Sequence, residues 1–357
     1  MTNNKNILLS EYAPKSELVV KEHEVRKPRF NAIDFHIHLR YMLKEYNNKI
    51  DYDIKNVVEE FKSFGIKHIV NLDGFPELLD RMLGKTGQYN DNFITTFGRL
   101  DFTKIDNPDF DKYVKQILKD FKSKGIKGLK VWKDLNLKIK DKQGKCIPPD
   151  DERLRVVWET AADLGLVVLT HIADPKAFFK PININNERFE ELNRRPDWSF
   201  YGPEYFEFEE LMEMQYNMVS KNSDTIFVLS HVASSSENLG YVSECMDLCS
   251  NMYVDIAGRI SELGRQPYSA RKFFNKYQDR ILFGTDSTPL GNNYLRNYRF
   301  LETWDEYFDY EDSIVPRRGR WEIYGIGLEE HVLEKIYFKN AEKLLGLANY
   351  RVKKPAN

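Results

Sequence analysis

Ile33-Asp34-Phe35-His36-Ile37-His38-Leu39 is an apolar, β-branched run broken by two histidines two positions apart. Side chains on a strand alternate faces, so His36 and His38 point the same way. Two imidazoles on one face of a buried strand are costly unless something uses their lone pairs. The most economical user is a metal ion. The remaining ligands should then lie at the ends of other strands.

The other strands are legible in the same manner. Apolar runs at 33–39, 67–72, 93–97, 128–132, 166–172, 225–231, 252–257 and 281–285 alternate with amphipathic stretches at 53–64, 108–124, 151–164, 204–220, 237–249 and 267–277. Phe64-Gly65-Ile66-Lys67 and Lys124-Gly125-Ile126-Lys127 repeat one junction, a glycine that closes a helix followed by an apolar strand. Strands alternating with helices indicate a parallel sheet, and eight such units in 357 residues indicate a single-domain (β/α)8 TIM barrel. The first strand is not followed by a Gly-x-Gly-x-x-Gly turn, which argues against a dinucleotide-binding fold. Insertions follow strand five (173–203, rich in aromatics) and strand eight (290–320, rich in arginine). The expected organisation is an N-terminal arm at 1–26, the barrel at 27–347 with a closing helix at 329–345, and a tail at 348–357.

Composition narrows the partners. The chain is 41% hydrophobic and 30% charged with a net charge of -2, so it carries no basic footprint for nucleic acid. No apolar run reaches the length of a membrane span. The first residues are polar and lack the apolar centre of a secretory signal. Cys146, Cys245 and Cys249 form no disulfide framework. A cytoplasmic protein acting on a small molecule is the expectation, with a homodimer anticipated from the outward-facing helices of a barrel.

Active-site residues of such barrels sit at the carboxyl ends of the strands. There the sequence has His36 and His38 on strand one, Lys130 and Trp132 on strand four, His171 on strand five, His231 on strand six and Asp286 on strand eight. His23, His68 and His331 fall elsewhere and read as structural or surface residues. Nitrogen and oxygen donors in this number suit zinc or a similar divalent ion. Around the rim, Arg259 is placed either to fork onto a substrate carboxylate or to pair with a loop acid. Asp255 faces either the barrel or the helices. Arg99 and Asp101 read as a solvated pair, and Asp73 as a similar rim residue.

The pattern His36-x-His38, His171, His231 and Asp286 resembles the amidohydrolase superfamily, in particular the amidohydrolase-related branch that includes lactonases and non-oxidative decarboxylases. The resemblance spans the barrel and implies that His36, His38, His171 and Asp286 hold one metal, most simply Zn2+. His231 would bind a second metal or polarise the substrate. Lys130 would either bridge two metals as a carbamate or stay an amine that pairs with a substrate carboxylate or with Asp286; one ion is expected over two. The implied reaction is hydrolysis of an amide, ester or lactone by a metal-activated water, with Asp286 as base and then acid. The alternatives are a non-oxidative decarboxylase built from the same parts and an inactive barrel that binds a partner. Arg259, Lys130 and Trp132 are the candidate substrate contacts.

Overall fold

Eight parallel strands follow one another round one sheet: β1 (Ala32–Ile37), β2 (Ile66–Gly74), β3 (Ile94–Gly98), β4 (Gly128–Val131), β5 (Val167–Thr170), β6 (Phe227–Leu229), β7 (Met252–Asp255) and β8 (Ile281–Leu282). Each pairs with the next in sequence order. Between β8 and β1 the ring is joined by Phe35 N–H donating to Phe283 O (2.9 Å) and Asp286 N–H donating to His36 O (3.0 Å). This is the (β/α)8 barrel the alternation anticipates. The structure, a computed structural model, describes residues 6–42, 53–289 and 292–347. The tail at 348–357 and the first five residues of the arm lie outside them.

The strands are buried on both faces, as a sheet wrapped by helices must be. One apolar cluster, including Ile33, Phe35, Val70, Leu72, Val167, Leu169, Val228 and Leu282, fills the barrel interior. A larger one packs the outer strand faces against helices such as Ile54–Ser63, Phe110–Ser123 and Phe208–Lys221. Gly65 and Gly125 adopt φ of +80° and +79° at the helix-to-strand junctions, a conformation a side chain would strain.

The strands end earlier than the apolar runs. His38, Trp132, His171, His231 and Asp286 all lie just beyond strand ends. β8 is only two residues long: Phe283 N–H turns to Ile336 O (3.1 Å), and Thr285 N–H donates to the Asp34 carboxylate (3.1 Å). The helix Leu79–Thr86 is too short to announce itself by periodicity. The first insertion is folded, with Phe178, Phe179 and Phe200 buried. The second contains the helix Asn293–Glu302, and the closing helix runs through a π-helical segment at Lys335–Lys339. The arm lies against this second insertion: His23 N–H donates to Asp305 (2.7 Å), and Arg320 donates to the carbonyls of Leu9 and Tyr12. Among the described residues no helix is long and apolar enough to cross a membrane.

Candidate metal centre

His36 and His38 reach the barrel mouth by way of a bulge. From Asp34 to Ile37 the chain takes three steps on β1 beside two on β2, from Ile69 to Asn71. The extra residue lets Phe35 fill the interior while His36, its neighbour, also turns inward and meets β7. Strict alternation would have set Phe35 and His36 on opposite faces.

Each ring is held through Nδ1. His36 Nδ1 donates to Asp255 Oδ2 (2.9 Å), His38 Nδ1 to Asp73 Oδ1 (2.9 Å) and His231 Nδ1 to Ala257 O (2.7 Å). Carboxylate and carbonyl oxygens only accept, so the proton sits on Nδ1 and the lone pair on Nε2. The three Nε2 atoms face one carboxylate. His36 and His38 approach Asp286 Oδ1 at 3.8 and 3.7 Å, and His231 approaches Oδ2 at 3.9 Å. These separations are too long for hydrogen bonds. Donors that share a divalent ion, each ~2.1 Å from it, stand ~3–4 Å apart. Ligand atoms of His36, His38 and Asp286 all lie within 4.8 Å of one another, so the donor set fits a divalent cation.

Charge supports the same use. Burial pushes His38 and, much further, His231 below the ordinary imidazole range, which favours the neutral ring that metal ligation requires. Desolvation raises the Asp286 carboxyl, but the neighbouring His36 and His38 outweigh it and hold it below its usual value. Its side chain remains 35% exposed, open to solvent in the mouth.

The backbone is strained here. His231, Val232, Ala233 and Ser234 have φ of +60°, +56°, +55° and +57°, a left-handed turn without a glycine, and Asp286 has φ of +52°. Such residues cost roughly 1–2 kcal/mol each and persist where the surroundings fix them. Here His231 N–H donates to Asp255 Oδ1 (2.8 Å) and Ser234 N–H to Ser230 O (3.0 Å).

His171 stands one ring back. Its centroid is 4.3 Å from that of His231, and its Nε2 is 3.4 Å from Asp174 Oδ1, which brings it into neither group of three converging donors. Burial lowers it to about 4. Lys130 is buried on β4 with Nζ 3.4 Å from Ser230 Oγ, and it pairs with no carboxylate among the described residues, Asp286 included. Burial brings its amine down to about 7 against the pull of Asp255 and Asp286. Trp132 meets the His38 ring edge-on at 5.1 Å. Arg259 is buried and donates to Gly258 O (3.0 Å).

The second layer of the site was largely invisible in the sequence. Asp255, ambiguous by alternation, faces inward and orients His36, His231 and the Ala257 N–H (3.1 Å). Asp73 orients His38 and accepts from Arg40 N–H (2.9 Å). Asp34 links β1 to the chain after β8, accepting from Thr285 Oγ1 (2.6 Å), Tyr294 OH (2.7 Å) and His36 N–H (3.0 Å). The only available signal was an acid inside an apolar run. Of the remaining histidines, His23 pairs with Asp305, His68 is buried against Thr95 Oγ1 (2.8 Å) and His331 is exposed beside Glu329.

A family profile described as amidohydrolase matches residues 33–347. No curated protein matches the chain. Among solved structures it is similar to an uncharacterized TIM-barrel protein from Bordetella bronchiseptica (TM-score 0.55, 13% identity, 88% of this chain and 98% of that one). It is also similar to a 2,6-dihydroxybenzoate decarboxylase (TM-score 0.54, 12% identity, 89% and 99%) and to 4-oxalomesaconate hydratase from Rhodopseudomonas palustris (TM-score 0.51, 12% identity, 88% and 95%). At these identities the likeness is one of fold.

Proposed function

Because the chain belongs to the amidohydrolase family, whose enzymes are metal-dependent, we propose that it is a hydrolase opening an amide, ester or lactone bond of a small, polar, carboxylated substrate. The observation that carries this reading is the convergence of three Nε2 lone pairs on the partly exposed Asp286 carboxylate. His36, His38 and Asp286 would hold the cation, with His171 as the fourth donor the family pattern implies. Zn2+ is the first choice for such a nitrogen-rich set. In the second group of three, His36, His231 and Asp255, both oxygens of Asp255 already accept hydrogen bonds, Oδ2 from His36 Nδ1 and Oδ1 from the backbone N–H groups of His231 and Ala257, which favours one ion over two bridged through Lys130.

A divalent cation bound there would supply Lewis acidity, acidifying water and polarising the attacked carbonyl. Asp286, ionised at neutral pH, takes the proton of the attacking water and returns it to the leaving group. His231 donates Nδ1–H to Ala257 O and is neutral, so its Nε2 accepts a hydrogen bond. It therefore orients water or a substrate hydroxyl and does not donate to an oxyanion, which narrows the role expected from the sequence. Arg259 and Trp132 remain proposed substrate contacts.

A second reading, non-oxidative decarboxylation of an aromatic or unsaturated acid, is favoured by the aromatic wall that Trp132 builds beside His38. Assaying metal-reconstituted protein against lactones, amides, esters and aromatic acids separates the two. A new carboxylate group without gas supports hydrolysis, whereas released carbon dioxide supports the lyase. Turnover that survives thorough chelation would sink both.

A further inference from the structure

The solvated pair of Arg99 and Asp101 expected from sequence does not form. Asp101 caps a turn, accepting from Thr103 N–H (3.1 Å), and sits near Lys104 (3.5 Å). Arg99 turns into the mouth of the barrel. Its Cζ lies 4.0 Å from the Phe75 ring centroid and 4.5 Å from that of Trp132. The aromatic rings occupy the faces of the guanidinium, which leaves its N–H edge for hydrogen bonding. Yet Arg99 Nη1 is buried without a hydrogen-bond partner among the described residues, and so is Trp132 Nε1. Buried donors without acceptors are rare in folded proteins, and two on residues in ring contact point to one acceptor.

The surroundings specify its charge. Arg40 lies over the same indole, 4.4 Å from its centroid. The buried carboxylate nearby, Asp73, is engaged by His38 Nδ1 and Arg40 N–H, and Arg99 forms no ion pair among the described residues. Burial first, and Arg40 second, bring Arg99 down to about 10, so it is still a cation at neutral pH. The indole that carries the second orphan donor also touches His38, so this donor pair adjoins the proposed reaction centre.

We propose that Arg99 Nη1 and Trp132 Nε1 bind a carboxylate of the substrate remote from the bond that reacts, with a planar part of the substrate against the indole. The fork of a guanidinium matches a carboxylate, whereas the indole N–H adds a single donor. The proposal rests on the reading of this mouth as the reaction centre, and it gives Arg99 an anion-anchoring role of the kind the sequence offered as one of two readings of Arg259.

Isophthalate, a planar dicarboxylate, is the probe, and isophthalamide is its uncharged counterpart. Calorimetric titration of both into chelator-stripped and metal-reconstituted protein tests the site with and without the cation. Isophthalate should bind both forms and isophthalamide neither. Arg99→Gln should weaken isophthalate about tenfold or more in both forms, the loss expected for one charge-assisted contact. Arg99→Lys, which keeps the charge and loses the fork, should fall between. Absence of isophthalate binding, equal affinity in Arg99→Gln, or equally tight isophthalamide would overturn the proposal. Failure of the catalytic reading has a different signature: no bound metal and no turnover, with Arg99-dependent isophthalate binding intact.

Discussion

Two polar clusters are buried near the barrel mouth, and they are built on opposite plans. In the first, Arg188 pairs with Glu191 (2.8 Å) and with Glu262, Ser261 Oγ donates to Glu262 (2.7 Å), and Arg318 donates to Ser261 Oγ (2.8 Å). These residues come from the first insertion, the segment after β7 and the second insertion, so the cluster ties three loops together through contacts it makes with itself. In the second, three imidazoles and a carboxylate approach to between 3.7 and 3.9 Å and stop, their outer nitrogens all anchored. In the first cluster the buried carboxylate Glu262 meets its opposite charge Arg188 at contact distance, whereas in the second no imidazole Nε2 comes within hydrogen-bonding distance of the carboxylate that all three face. That difference separates a structural network from a site, and composition alone does not reveal it.

Breaking the open cluster should abolish chemistry with little cost to folding. His36→Ala or His38→Ala should remove bound metal and reduce turnover to background, read by elemental analysis beside the assay. Asp286→Asn should keep at least part of the metal while kcat falls ~10²–10⁴-fold; an active Asp286→Asn enzyme would take Asp286 out of the proton path. Asp255→Asn, which loosens the orientation of His36 without removing a donor, should weaken metal binding ~10–100-fold in chelator competition.

Breaking the closed cluster should do the reverse. Glu262→Gln leaves the buried Arg188 guanidinium with Glu191 as its remaining charge partner and should cost ~1–3 kcal/mol of stability with metal affinity unchanged. Glu262 is a carboxyl raised by burial but drawn down further by Arg188, from the usual 4.5 to about 2. Its stabilisation is therefore complete above pH 4.5 and is lost as pH falls toward 2. Denaturation curves of the wild type should show that loss across this window, and those of Glu262→Gln should not. The smallest effect belongs to the strained turn: Ala233→Gly at φ +55° should raise stability by up to about 1 kcal/mol in chemical denaturation.

The barrel was legible because parallel strands are apolar along their whole length and because Gly65 and Gly125 close the helices that lead into β2 and β4. The cluster was legible because His36-x-His38 is unusual inside such a run. What escaped was anything set by tertiary geometry. Asp73 and Asp255 become ring anchors only once strands distant in sequence close round the mouth. The bulge at Phe35 and His36 leaves no glycine or proline as a marker, and neither does the left-handed turn at His231. Arg99 looked paired because Asp101 is near in sequence, but aromatic rings just beyond the ends of β2 and β4 compete for it and win.

Elemental analysis of the purified protein beside His38→Ala tests the centre most directly. The expected result is about one divalent ion per wild-type chain and close to none in the variant, with the fold of both intact. A wild-type protein that stays metal-free after incubation with Zn2+, or a His38→Ala protein that holds as much metal as the wild type, would contradict it.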